Sequence, residues 1–179
     1  NLKQERTLHS AIIPPNAAHI HGLISITTKK LNNLLQIAGT FASLPFDFFI
    51  KVIGKSNLQY DNAGKLPVLD TVHTSAIIQR ALMLNCLTKY YDELWQDQYN
   101  IDFNKEIWSK IDKRLDNNKF KNLTKEWKWE TPLRTYYERR QALIEIDVLT
   151  SMALGMTLDQ LKTIFLVFLQ YLVFRFFSI

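Results

Sequence analysis

TSAIIQRALMLNCLTKYYDELWQDQ, residues 74–98, decides how the fold is read. Ile77, Ile78, Ala81, Leu82, Leu84, Leu87, Tyr91, Leu94 and Trp95 recur along it at helical spacing and form a broad apolar face, so the stretch predicts one long helix. Beyond it, residues 102–115 read as a shorter amphipathic helix, and 116–132 (DNNKFKNLTKEWKWETP) as a polar, basic connector of low periodicity. Residues 133–154 are helical again, with Leu143, Ile146, Leu149 and Met152 inside and charged i, i+4 pairs outside. Gly155 is the expected stop, and Thr157 to Gln160 form a T-x-x-Q capping box that opens a last helix.

On the N-terminal side the period changes. Residues 6–13 (RTLHSAII) and 22–28 (GLISITT) are short, partly β-branched runs on either side of Pro14-Pro15-Asn16, and they predict two strands joined by a loop. From Lys30 the apolar positions Leu31, Leu34, Leu35, Ala38 and Phe41 return to helical spacing, and the stripe resumes with Phe46, Phe49, Ile50 and Ile53. Pro45 inside this run predicts a kink, with Ser43 available as a cap and Gly54 as the stop. Residues 55–70 (KSNLQYDNAGKLPVLD) read as an exposed loop that docks through Leu66-Pro67-Val68. The expected class is α+β, mainly α: short N-terminal strands, a kinked helix, then a helical packing region. Residues 1–70 and 71–179 are its two expected parts.

With 47% hydrophobic and 22% charged residues, 179 residues can bury a core of ordinary size, which excludes a disordered chain. The single cysteine, Cys86, rules out an intramolecular disulfide and reads as a small buried hydrophobe in a cytoplasmic protein. The net charge of +5 is uneven. Residues 1–60 carry six Lys/Arg against two acids and 101–140 carry eleven against seven, two segments that could line a phosphate-facing surface. The chain starts at Asn1 without a basic, apolar, small-residue leader and reads as an interior fragment. In its apolar end, IFLVFLQYLVFRFFSI (164–179), only Gln170, Arg175 and Ser178 are polar. That run falls short of the roughly 20 residues of a membrane span, so burial or an exposed apolar face is expected rather than insertion.

No catalytic constellation emerges. Pro14-Pro15 lacks the preceding Asn or Asp and the following aromatic of an adenine-gripping loop, because Ile13 and Asn16 stand there. The five glycines are scattered singly, so no phosphate-cradling loop exists. His19-Ile20-His21 offers two imidazoles without a third ligand, and no paired carboxylates with a lysine suggest a nuclease. Glu138, Arg139 and Arg140 read as a helix surface. No cofactor and no metal are expected in this chain. Lys125 to Trp129 (KEWKW) interleaves cations with aromatics suited to unpaired bases, although tryptophans tucked into the helices explain it more simply. Gly54-Lys55-Ser56-Asn57 offers a cation, a hydroxyl, an amide and backbone N–H groups, a combination that can hold a phosphate and read a base edge.

Residues 41–70, FASLPFDFFIKVIGKSNLQYDNAGKLPVLD, resemble the closing segment of target-recognition domains in restriction-modification specificity modules. The matching residues are Phe41, Ala42, Ser43, Phe46, Asp47, Phe48, Lys55 and Leu66-Pro67. Residues 5–20, ERTLHSAIIPPNAAHI, look like the strand segment before that helix in large adenine-specific DNA methyltransferases of the Eco57I-like restriction class. Residues 132–165, PLRTYYERRQALIEIDVLTSMALGMTLDQLKTIF, are similar to a helical region that follows the recognition domain there, through Arg134, Tyr137, Glu138, Arg139, Arg140, Glu145, Asp147 and the ALGMT turn. After Phe165 the family continues with a polar, proline-containing stretch, whereas this chain turns apolar, as a truncated or frameshifted gene would.

The resemblance implies that the strands complete the edge of a recognition sheet. It also implies that the parent protein methylates adenine N6 from S-adenosylmethionine and, if it cleaves DNA, uses magnesium. The expected partners are double-stranded DNA and the methyltransferase core of the parent, with no membrane. The candidate DNA contacts are Lys51, Lys55, Ser56, Asn57 and Lys65, with Lys55 on phosphate and Asn57 reading a base; Arg6, Lys29 and Lys30 are further phosphate contacts. The rival reading is a non-enzymatic helical module that binds a partner protein.

Overall fold

The computed structural model describes residues 6–15, 17–18, 22–53, 58 and 60–177. Its helices are α1 (Leu31–Phe41), α2 (Leu44–Ile53), α3 (Tyr60–Ala63), α4 (Thr74–Asn85), α5 (Asp92–Gln98), α6 (Tyr136–Ala153) and α7 (Leu158–Phe177), with 3-10 turns at Lys89–Tyr91 and Ile101–Lys105. The main core joins α1, α4, α5, α6 and the irregular 103–133 segment through Leu35, Leu82, Met83, Trp95, Phe120, Leu133 and Ile146. A second cluster gathers Leu8, Phe41, Phe46, Ile50, Leu66 and Leu69 around α2, and a third joins Leu44 to Ile164 and Phe168 of α7.

The expected strands are not there. Among the described residues no strand forms, so the α+β class with a sheet edge at the N-terminus gives way to a helical fold. The 6–13 run takes no regular secondary structure, and side chains rather than a neighbouring strand accept from three of its amides. Asp47 Oδ1 accepts from Thr7 N (2.7 Å) and Leu8 N (2.6 Å), and Asn85 Oδ1 accepts from Ile12 N (3.0 Å). Backbone donors need partners, not specifically a sheet, and the β-branched composition could not show which kind they would find. In the 22–28 run Ile26 packs against the second cluster while Leu23 and Ile24 are exposed, so no continuous apolar face forms for a sheet.

The long helix expected over 74–98 is also interrupted, at Asn85. The cause is tertiary: three groups far along the chain capture carbonyls at its end. Leu133 N donates to Met83 O (2.8 Å), Arg139 Nη1 to Leu84 O (3.0 Å) and Trp127 Nε1 to Cys86 O (2.9 Å). Those carbonyls are satisfied without another helical turn. The 102–115 segment keeps only the Ile101–Lys105 turn, because Ile107 and Ile111 (94% exposed) are left out of the core while Trp108 and Leu115 enter it.

The kink is where Pro45 placed it. α1 and α2 meet at 73°, with Pro45 in the first turn of α2, where its missing N–H does no harm. Ser43 stands just before α2, its carbonyl accepting from Asp47 N (3.1 Å), but its hydroxyl donates back to Thr40 O of α1 instead of capping α2. α1 approaches α4 closely at Gly39, where an added Cβ would lie 2.6 Å from Ile77 Cγ2. Helix α6 opens on a full capping box between Thr135 and Glu138. It ends in a Schellman motif: Gly155 at φ +69° donates to Met152 O (3.0 Å), and Met156 N to Ser151 O (2.9 Å). The Thr157 and Gln160 box opens α7 as expected, with Thr157 N donating to Gln160 Oε1 (2.8 Å) and Gln160 N to Thr157 Oγ1 (3.3 Å). Among the described residues no single helix is long and apolar enough to cross a membrane.

Candidate functional site

Three groups of side chains carry enough charge or exposed apolar surface to act on something else. The first is centred on Arg80, on the inner side of α4 and 4% exposed. Its Nε donates to Glu145 Oε2 of α6 (2.7 Å), and its Nη1 to Glu106 Oε2 (2.8 Å) and to Ala76 O (3.1 Å). Glu145 also accepts from Ser109 N (2.8 Å) and Gln141 Nε2 (3.0 Å). Burial works to raise the Glu145 carboxyl, but Arg80, Gln141 and the Ser109 amide outweigh it and hold the group below its ordinary value. A guanidinium and a carboxylate whose oxygens are already engaged have little capacity left for a substrate. This cluster ties α4, α6 and the 106–109 turn together.

The second group lies where the N-terminal segment crosses the α1–α2 corner. Arg6 donates through Nη1 to Ala42 O and stands 3.6 Å from Asp147 of α6, which accepts from Leu44 N (2.7 Å). Asp47 is fully buried, with Oδ1 on the Thr7 and Leu8 amides and Oδ2 without a hydrogen-bond partner. Burial pushes the Asp147 carboxyl up to about 6, Arg6 and the Leu44 amide work against that, and the Asp47 carboxylate adds to it. This folded-state value lies above that of the unfolded chain, so the folded protein binds the proton more tightly. The stabilising contribution is present at low pH and is lost as pH rises through about 6. On going from pH 5 to pH 7.5 the protein should therefore lose roughly 1–2 kcal/mol more stability than its Asp147→Asn variant, measured by urea unfolding. Equal losses in the two proteins would mean that Asp147 titrates as it does in the unfolded chain.

The third group is an apolar groove of about 330 Å³ between α2, the 65–67 turn and the start of α7, lined by Pro45, Phe48, Phe49, Val52, Pro67 and Ile164 among others. Phe49 and Val52 of its lining are exposed, as are Leu158, Phe165 and Leu166 of α7. The expected docking of the 66–68 turn holds for Leu66, which is buried with Leu69, whereas Val68 faces solvent. Cys86 is fully buried, and burial pushes its thiol up to about 12, which makes it the inert hydrophobe expected.

No family model, curated protein or solved structure matches the chain.

The residues expected to meet DNA divide into three sets. Lys55, Ser56 and Asn57, with Gly54, lie outside the described residues, as do His19 and His21. Lys51 and Arg6 are turned inward: Lys51 Nζ sits 4.1 Å from the centroid of the Phe168 ring, and Arg6 is held by Ala42 and Asp147. Lys29, Lys30 and Lys65 are exposed and make no ion pair among the described residues. Lys29 and Lys30 immediately precede α1, whose first turn contains no acid. The described residues hold no cluster of three or more potential metal ligands.

Sequence reasoning passed over Arg80 and used Asp47 only as a point of resemblance, missing that these two are the centres of the two buried clusters. The signal was present in each case: a lone cation at the middle of the apolar 74–85 face, and a lone carboxylate inside LPFDFFIKVI. It also treated the two tryptophans of KEWKW alike, whereas the structure separates them. Trp127 is tucked in and bonded to Cys86 O, while Trp129 is 64% exposed.

Proposed function

We propose that this chain is a non-catalytic helical module of a restriction-modification protein, one that contacts duplex DNA through surface lysines and packs beside a methyltransferase core. The observation that carries the reading is the contrast between engaged and unengaged charge. Arg80, Glu145, Arg6, Asp47 and Asp147 are committed to holding the fold, while Lys29, Lys30 and Lys65 remain exposed and unpaired among the described residues. Two lysines beside the positive end of a helix dipole favour a phosphate there. Support for the class of partner comes from the resemblance in residues 132–165, of which Glu138, Glu145, Asp147 and the Ala153 to Thr157 turn act as caps and clamps. On this reading the protein is cytoplasmic, and S-adenosylmethionine and any magnesium belong to the parent's catalytic core. The phosphate contact of Lys55 and the base reading by Asn57 are assigned on sequence grounds alone.

The apolar groove favours a second reading, a module that binds a partner protein and leaves its lysines solvated. Salt separates the two. Binding through about four phosphate contacts weakens on the order of a hundredfold between 50 and 200 mM salt, whereas apolar docking hardly changes. Anisotropy titrations of a labelled duplex should show the steep dependence. A shallow one, or no binding at 50 mM salt, would favour the partner-protein reading.

A further inference from the structure

Of the four tryptophans, Trp95 and Trp108 are buried and Trp127 is partly buried, each with its indole N–H bonded to a backbone carbonyl; only Trp129 stands out, 64% exposed. It is not a loose side chain. It lies in a turn closed by Thr131 N donating to Lys128 O (3.0 Å) and Lys128 N donating to Thr131 Oγ1 (2.9 Å). Lys119 Nζ donates to Glu130 O and Pro132 O, and Leu133 N fixes the exit of the turn on Met83 O. Arg134 donates from Nε to Trp129 O (2.9 Å) and lays its guanidinium 3.5 Å from the indole centroid. One face of the ring is thus covered by a cation, and the exposure falls on the other.

We propose that the free face of Trp129, backed by Arg134, is a stacking site for an unpaired nucleobase, with the neighbouring lysines on the adjoining phosphates. The ring is already held in place, so little side-chain entropy is lost when a base stacks on it. Stacking on an aromatic face tolerates any base, and the guanidinium behind the ring adds a cation–π contribution. With Lys119 engaged in holding the turn, Lys121, Lys125 and Lys128 stand exposed in residues 119–134 beside Arg134, against Glu126 and Glu130, an excess of positive charge that suits a nucleic-acid strand better than an apolar partner. The ligand class is single-stranded or locally unpaired DNA. The inference rests on the DNA-contacting reading above only for that class.

The test is anisotropy of a labelled 12-nucleotide oligothymidylate, and of a duplex of equal length, against the intact chain and its Trp129→Ala and Trp129→Phe variants. Trp129→Ala should weaken oligothymidylate binding about tenfold or more, Trp129→Phe less, and duplex binding by under twofold, with far-UV circular dichroism unchanged. Unchanged oligothymidylate affinity in Trp129→Ala overturns the proposal. So does a wild-type chain that ignores oligothymidylate, which would leave Trp129 as an anchor for a protein partner. Trp129-dependent oligothymidylate binding without any duplex binding would uphold this site while removing the reading under which the surface lysines meet duplex DNA.

Discussion

Glu145→Ala should lower the unfolding free energy by about 3–5 kcal/mol, the usual cost of removing one partner from a buried ion pair. The variant leaves Arg80 Nε and the Ser109 amide without their acceptor, while Gln141 Nε2 keeps only its bond to Ser109 Oγ (2.9 Å). Glu106 still holds Nη1 from a more exposed position, so the remaining charge is only partly compensated. Urea unfolding followed at 222 nm gives the number. The same physics predicts that replacing Arg80 and Glu145 together by methionines of similar bulk costs much less than the single change, because no fully buried charge is then stranded and Glu106, more exposed, can turn to water. A loss below about 1 kcal/mol for Glu145→Ala would mean that the cluster does not hold α4 to α6.

Asp47→Ala is the second large effect, about 2–4 kcal/mol, since two amides lose their common acceptor at a buried position. Part of the loss is offset because a fully buried carboxylate with one unpartnered oxygen is also removed. Asp47→Asn keeps a carbonyl oxygen for Thr7 N and Leu8 N and should retain most of the stability. Hydrogen exchange locates the effect: the Thr7 and Leu8 amides should lose protection in Asp47→Ala and keep it in Asp47→Asn. Loss of protection in both would show that the negative charge, rather than the acceptor geometry, holds the N-terminal segment down.

These two clusters also show where sequence reading stops. Local features were legible: the Pro45 kink, the Gly155 stop and the Thr157 to Gln160 box involve residues a few positions apart, whose chemistry determines a turn by itself. The Thr135 to Glu138 box was equally local and could have placed the start of α6 three residues later than periodicity alone does. The end of α4 was not legible, because Trp127, Leu133 and Arg139 cause it from more than forty residues away. The N-terminal strands failed for the same reason. Residues 6–13 have strand composition, but whether an extended segment pairs with a strand or with Asp47 and Asn85 depends on what the rest of the chain brings alongside. For the candidate site, charge density singled out basic segments without separating the lysines that remain outside from the Arg6 and Lys51 side chains drawn inward.

The central claim is that the unpaired surface lysines meet duplex DNA. The most direct test is the affinity of the intact chain for a labelled duplex at 50 mM salt, compared with a Lys29→Glu, Lys30→Glu, Lys65→Glu triple variant. These side chains contribute no ion pair to the described fold, so circular dichroism and the urea midpoint should not move. The account predicts at least a tenfold weaker complex and a shallower salt dependence. An unchanged affinity in a folded triple variant would contradict it.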